Sequence, residues 1–446
     1  MCKYSQELVG ILDKSIKILN IETKKIKGKT YKFIHLIKTT KTAKCPHCNK
    51  SCKTLYGKRI TSPTHLKQAN FPTKVILTKK RFLCNNCKKV FTEQFNFILN
   101  KKRISNDVNK KILLDLKENL SIKYIANCNN VSRTHVLNLM KQYINYEIQT
   151  YNLPKVLSFD EFKADTDEGK YAFVMNDPIN KCVINILPTR EKQYLINFFL
   201  NCKNRDNVKY IIGDMYEPYL IITKYYFKNA SYVVDRFHYI RYIMNAIDNV
   251  RIRYQKLFLS QNKIKYYNTL KKKKYVSLLR IYSPKVDWFG KIKICYSSGN
   301  YIEKFNYEIL NAIFDIAPDL KTAYHLKEEF LDIINNSSFN DAESKLKNWI
   351  QNCENSKLEE FISASSTIQN WLPYICNSFI DKRFSNGFTE GLNNRIKSHK
   401  RVAFGYKNFY IFRNRLLYML GKPISISHQK NVAFNGGKKY TKNTKY

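Results

Sequence analysis

The feature that most constrains this chain is a pair of CxxC motifs, Cys45-Pro-His-Cys48 and Cys84-Asn-Asn-Cys87. Cysteines three positions apart can close on one metal ion from a single tight turn. Two such turns supply the four-cysteine ligand set of a structural zinc ribbon. Four thiolates leave no open coordination position, so one bound Zn2+ here serves folding and not catalysis. The gap from Cys48 to Cys84 is long for such a module and predicts a hairpin insert, LYGKRITSPTHLKQANFPTKVILTKKRF, among short strands. His47 and Cys52 are spare ligand candidates and read as bystanders.

Paired CxxC motifs carry this meaning in a reducing compartment, and the sequence points to one. No run of 18 apolar residues is free of charge, and charged residues interrupt every apolar run of the N-terminus, so neither a membrane span nor a signal peptide is expected. A cytoplasmic location follows, in which the twelve cysteines stay reduced. The formal net charge of +43 calls for a polyanionic partner, nucleic acid before an anionic membrane. AT-rich coding could also inflate lysine. The distribution favours a dedicated binding region: residues 1–150 hold 31 Lys and Arg against 8 Asp and Glu, whereas the remaining 296 hold 47 against 27.

A length of 446 residues allows two to four domains. KSIKILNIE and YKFIHLIK read as strands or an amphipathic lead-in. From about 104 the period turns helical, with Ile112, Leu113, Leu116 and Leu120 on one face. Residues 121–143 fit two short helices joined by a tight turn near Asn129–Val131, with Ser121 and Ser132 as N-caps and Ile125, Ala126, Val131 and Val136 packed. In a helix-turn-helix, the second helix would offer Arg133, Thr134, His135 and Asn138 to base edges. An ordinary helical hairpin is the plainer reading. From 155 the pattern is α/β: KVLSFDEF, YAFVMND, CVINILP, VKYIIGDM and ASYVVDRFH read as strands separated by helices. Residues from about 245 to 375 read as helical.

Asp160 and Asp214 each end a predicted strand, where an α/β sheet places ligands; Glu390 begins a helix in SNGFTEGLNNR, but spacing alone does not single it out. Three carboxylates from separate elements can hold two Mg2+ (or Mn2+) ions about 3.5–4 Å apart, an arrangement suited to phosphodiester chemistry.

The order of these parts resembles the DDE transposases of the "ISL-three" insertion-sequence family over nearly the whole chain. The residues that carry the resemblance are CPHC…RFLCNNC…FTEQF, the helix-turn-helix, LSFDEF, IIGDMYEPY, VVDRFH and SNGFTEGLNNRIKSHKRVAFGYKNFYIFRNR. It implies a multidomain α+β and α/β protein with a zinc ribbon, a helix-turn-helix and an RNase H-like α/β catalytic core interrupted by an all-α insertion domain. It also implies that Asp160, Asp214 and Glu390 are a metal-binding catalytic triad. The N-terminal module would bind double-stranded DNA at terminal inverted repeats, and two chains would form a homodimer when synapsed on DNA in a bacterial nucleoid.

The expected divisions are 1–100 (strands and zinc ribbon), 101–150 (helix-turn-helix), 151–244 and 376–425 (the two parts of the core), 245–375 (insertion) and 426–446 (a basic disordered tail). Asp235-Arg-Phe-His238 resembles a DxxH signature of related groups, so His238 is expected to touch DNA, to orient the site, or to be a capped core residue. Trp371 is expected either to stack on a flipped base or to pack in the core. Lys397, His399, Lys400 and Arg401 are expected along phosphates, and Arg413 and Arg415 there or capping the last helix. Alternative functions are a non-catalytic DNA-binding relative, domesticated or decayed, and a hydrolytic nuclease without strand transfer.

Overall fold

A computed structural model describes residues 11, 13–98, 102–146, 153–295 and 301–421. The expected tail at 426–446 and the junctions at 100/101 and 150/151 fall outside the described residues, wholly or in part. The chain divides into two compact units, one of residues 1–147, 165–168 and 394–446 and the other of 148–164 and 169–393.

In the first unit, β1 (Ile16–Ile26) and β2 (Lys29–Lys38) form an antiparallel hairpin. Small strands β3 (Ala43–Lys44) and β4 (Ser51–Cys52) flank the first cysteine pair. β5 (Leu55–Thr61) and β6 (Thr64–Gln68) run antiparallel to the 13-residue β7 (Phe71–Leu83), which pairs in parallel with β2 and carries β8 (Val90–Thr92). The result is a six-stranded sheet instead of a few short strands. Its cause is visible in TKVILTKK: alternation turns Val75 and Leu77 inward onto Ile16, Ile18, Ile34, Leu36 and Phe95, and Lys79, on the same face, lies over the Phe95 ring at its edge.

Three helices follow: α1 (Asn106–Asp115), α2 (Ile122–Cys128) and α3 (Arg133–Tyr143). Ser121 and Ser132 cap α2 and α3, their hydroxyls accepting from Tyr124 N and His135 N at 3.1 Å. The turn between them passes through Asn130 at φ +52°, a conformation asparagine tolerates. Ile112, Leu116, Ile125, Ala126 and Val136 are buried together.

The second unit is built on a five-stranded sheet. Its strands are β9 (Val156–Thr166), β10 (Gly169–Asp177), β11 (Cys182–Leu187), β12 (Tyr210–Gly213) and β13 (Ser231–Val234), in the order β11-β10-β9-β12-β13. β10 and β11 are antiparallel, whereas β9, β12 and β13 are parallel. Helices α4 (Lys192–Leu200) and α5 (Glu217–Tyr226) make the crossovers. Phe159, Phe173, Phe199, Tyr219 and Phe227 interlock as an aromatic core.

Beyond β13 the chain is mainly helical: α6 (Arg236–Ser260), α7 (Ile264–Lys271), α8 (Lys273–Arg280), α9 (Asn306–Ile316), α10 (Pro318–Asn336), α11 (Phe339–Asn355) and α12 (Glu359–Cys376). The stretch 245–375 is not wholly α, because an antiparallel hairpin of β14 (Lys291–Cys295) and β15 (Tyr301–Phe305) interrupts it. Lysine alternates with Ile and Cys in KIKIC, a period of two that a helical reading passes over. α13 (Gly387–Ala403) gives its residues up to Asn393 to the second unit and the rest to the first, and α14 (Phe409–Leu420) ends the described chain.

Candidate functional site

The two aspartates are brought together by strand register. β12 pairs with β9 as Tyr210↔Val156, Ile211↔Leu157 and Ile212↔Ser158, an offset of 54. Asp160 and Asp214 are also separated by 54 positions, so the same register sets them side by side. Asp214 directly follows its strand, as expected. Asp160 does not end its strand; it lies in the middle of β9, which outruns β12 to form the hairpin with β10.

Asp160 accepts from the Glu161 amide at 2.7 Å and from Asn393 Nδ2 at 2.8 Å. Burial, and then the negative charge of Asp214, push its carboxyl up to about 7. Asp214 Oδ1 is buried and accepts no hydrogen bond of good geometry; His238 Nε2 stands 2.7 Å from it as an ion-pair partner. Burial works against charge on His238, but this ion pair outweighs it and the imidazole pKa is raised. Gly213 is required before Asp214 because Tyr232 passes over it: the Tyr232 hydroxyl donates to the Asp214 carbonyl at 2.6 Å and leaves no room for a Cβ.

Glu390 is exposed on the first turn of α13. That turn docks on the sheet through buried polar groups. Ser158 Oγ donates to Asn386 Oδ1 at 2.6 Å and lies 3.0 Å from Thr389 Oγ1, which also accepts from Asn176 Nδ2 at 3.1 Å. The Asn386 amide donates to Asp235 Oδ1 at 2.9 Å. Asn386, Glu390 and Asn393 recur at helical spacing, and the last of them touches Asp160.

In the first unit, all four ligand sulfurs of Cys45, Cys48, Cys84 and Cys87 lie within 4.8 Å of one another. The two turns are built alike. Each second cysteine is followed by a left-handed residue, Asn49 at φ +59° and Lys88 at φ +54°. Each first cysteine donates its amide across its turn, Cys45 N to Lys50 O at 2.9 Å and Cys84 N to Lys89 O at 3.0 Å. Four soft sulfurs in a tetrad fit zinc. Cys52 is buried beside them and His47 is exposed; neither belongs to the tetrad.

Both regions of the chain match known families. Residues 157–416 match the transposase family ISL3, the "ISL-three" group, and residues 41–87 match the zinc finger of the IS204/IS1001/IS1096/IS1165 transposases. The chain belongs to the ISL3 family of transposases. The transposase for insertion sequence element IS1001 of Bordetella parapertussis is 20% identical over 380 residues, 84% of this chain and 88% of that protein. A Lactococcus lactis subsp. lactis protein named ATP-dependent protease is 31% identical over 117 residues, 26% of this chain and only 36% of that protein's length. No helix among the described residues is long and apolar enough to cross a membrane.

In this ISL3 chain, Arg133, Thr134 and Asn138 are exposed on α3, whereas His135 is half-buried with Nε2 2.8 Å from Asn109 Oδ1. Lys397 and Arg401 are exposed on α13, and Lys400 Nζ pairs with Asp165 at 2.6 Å.

Three expectations for basic residues are overturned. His399 is buried, with Nδ1 3.0 Å from Asn119 Oδ1 and Nε2 3.0 Å from the Tyr406 hydroxyl, and burial pulls its pKa down to about 4, so it is a neutral core group. Arg415 is buried and donates to the carbonyls of Leu116, Glu118 (2.8 Å) and Leu120 (3.0 Å), closing the end of α1 and not its own helix. Arg413 is buried against the Tyr146 carbonyl at 2.7 Å. Trp371 packs half-buried beside Tyr232 and Tyr374.

Sequence reasoning also misses several members of the aspartate site. Glu161 pairs with Arg190 and accepts from the Tyr219 hydroxyl at 2.9 Å, and Arg190 lies over the rings of Tyr171 and Tyr216. The EPY of IIGDMYEPY carries the signal for Tyr219. Nothing local marks Ser158, Asn386, Thr389 or Asn393, because their roles exist only across chain separations of more than 150 residues.

Proposed function

We propose that this chain is a DDE transposase that binds the terminal inverted repeats of its insertion sequence and cuts and rejoins DNA at a site formed by Asp160, Asp214 and Glu390. The observation that carries this reading is the pairing of Asp160 with Asp214. Two carboxylates held together, one of them pushed up to about 7 by burial and by the other's charge, form a site that gains from added positive charge. The buried Asp214 Oδ1, without a well-formed hydrogen bond, is a ligand atom of the right kind. Hard carboxylate oxygens fit Mg2+ or Mn2+. When bound, two such ions supply activation of a water or 3′-hydroxyl and stabilisation of the leaving oxygen.

The chain's own residues do the rest. Asn393 fixes the Asp160 carboxylate, and His238 keeps positive charge beside Asp214. The docking of α13 through Asn386 and Thr389 supports Glu390 as the third acid. The order β11-β10-β9-β12-β13 supports an RNase H-like core, with 245–375 as its insertion. The capped pair α2–α3 and the exposed Arg133, Thr134 and Asn138 support a helix-turn-helix that reads bases, while Lys397 and Arg401 follow phosphates. Synapsis of two ends calls for a homodimer on DNA in the cytoplasm.

The test is Asp214→Asn in the full chain, assayed on duplexes from the element's ends. Binding is retained and cleavage in magnesium is lost. Undiminished cleavage by this variant sinks the triad.

A further inference from the structure

α13 ends in a loop with one anomalous residue. The amide of Phe404 bonds the carbonyl of Arg401 at 3.1 Å, and the amide of Gly405 bonds that of Lys400 at 3.0 Å. This is the double hydrogen bond of a Schellman helix end, whose first residue beyond the helix must be left-handed and is ordinarily glycine. Here that position holds Phe404 at φ +58°, and the glycine comes one residue later, at φ +85°. Phe404 is the only aromatic residue with positive φ among the described residues. A bulky side chain in this conformation is strained, and such strain persists where the surroundings hold it and function uses it.

Packing does not explain the strain. Phe404 is 96% exposed, the most exposed of the large apolar residues described. The loop beneath it is rigid. Tyr406 stacks on Phe412 with ring centres 4.9 Å apart, and the Asp167 amide donates to the Lys407 carbonyl at 2.8 Å. Asp167 also accepts from the Phe409 amide at 2.8 Å and from Asn408 Nδ2 at 3.0 Å. A fixed support therefore holds one bare ring out to solvent.

The charges around that ring select its partner. Lys397 and Arg401 lie four residues apart on α13, Phe404 follows just past the end of that helix, and Lys397, Arg401 and Lys407 are all exposed. In the facing turn Asp165 is paired with Lys400 and Asp167 with the loop backbone, which sets Glu168 alone against the three exposed cations Lys397, Arg401 and Lys407. An aromatic face at the end of a row of cations matches a nucleic-acid strand, in which phosphates meet the cations and a base meets the ring. A second protein copy offers no such charge match, since each chain carries a net +43.

We propose that Phe404 is a base-stacking residue: it receives an unpaired or unstacked base of bound DNA whose phosphates run along Lys397, Arg401 and Lys407. This rests on the transposase reading above for the identity of the nucleic acid. Stacking on an aromatic ring tolerates any base, so the contact grips a frayed or opened strand without reading its sequence.

The test uses the full chain and a forked DNA duplex carrying 2-aminopurine in its single-stranded arm, beside the same fork with abasic arm nucleotides. The wild type binds the base-bearing arm about tenfold more tightly than the abasic one and quenches the 2-aminopurine. Phe404→Gly loses both the preference and the quenching. Its melting temperature does not fall, because glycine is the residue this helix end favours, so misfolding cannot account for the loss. Phe404→Trp retains the preference.

Unchanged preference and quenching in Phe404→Gly overturn the proposal, as do equal wild-type affinities for the two arms. A Phe404→Gly variant that keeps its DNA behaviour but loses self-association in sedimentation assigns the ring to a second copy and likewise overturns it. Cleavage by Asp214→Asn defeats the catalytic reading alone, whereas a wild type that binds no DNA defeats both.

Discussion

The Asn393 side-chain amide donates to Asp160 Oδ2 across 2.8 Å, joining α13 to the middle of β9. Asn393 is thereby a positioning residue for a carboxylate that lies 233 positions earlier in the chain. Outer hydrogen bonds of this kind typically contribute about 10- to 100-fold to the function of the ligand they orient. Asn393→Ala is expected to slow cleavage of end DNA about tenfold while the affinity for that DNA stays unchanged. Equal cleavage rates, measured under single-turnover conditions, would reject the role.

The raised pKa of Asp160 gives stability a definite pH dependence. Its carboxyl sits at about 7 when folded, so the metal-free fold holds that proton more tightly than the unfolded chain does. The stabilising contribution is complete below the unfolded value, about 4, and is lost as pH rises to about 7. His238, also raised, works in the same direction: its contribution is present below about 6.5 and fades as pH passes its folded value. In chelator, the melting temperature should fall from about pH 5 to about pH 8, and Asp160→Asn should flatten that fall. Magnesium should restore stability at the alkaline end of this range and do little at the acid end. A slope identical in wild type and Asp160→Asn contradicts the assignment.

The cysteine tetrad should hold one zinc per chain, measured by elemental analysis of the purified protein. A structural Zn2+ is worth about 10–16 kcal/mol in isolated fingers, far more than the small strands β3 and β4 supply on their own. Cys84→Ser should therefore unfold the β1–β8 region and leave the five-stranded sheet intact, as read by hydrogen exchange over each segment. Protection unchanged around residues 41–92 in that variant would argue against a structural metal.

Arg415 and Lys397 should separate stability from DNA binding. Removing the buried Arg415 guanidinium leaves three carbonyls of the α1 end without their donor, so Arg415→Leu should cost about 3 kcal/mol in urea unfolding. Lys397 is exposed. Lys397→Ala should change stability by less than about 0.5 kcal/mol, yet lower the salt slope of DNA binding by about one phosphate contact. Reversal of the two effects would undo both assignments.

What can be read in the sequence follows the range of the interactions. The two CxxC turns, the serine caps and the strand alternation are local, and they stand in the structure where the residues predict them. Asp214 is marked by the apolar strand that delivers it. The basic residues after Glu390 are read by charge alone, and charge does not report burial: His399 and Arg415 face inward, where burial and carbonyl partners decide their state. The β14–β15 hairpin escapes notice because a five-residue strand is short beside the helices that surround it. Asn393, Thr389 and Ser158 belong to one polar junction that no window of sequence contains.

The shared offset of 54 between the β9–β12 pairing and the two aspartates amounts to a ruler with fixed marks. Growth or loss of residues in the α4 crossover leaves the marks aligned, since hydrogen bonds and not chain length set the strand register. A single-residue deletion inside either strand slides one acid past its neighbour and turns it to the opposite face. The aspartate pair is thus insulated from drift in loop length and intolerant of slippage in its ladder, and variants of this chain that survive selection should put their insertions between strands and never within them.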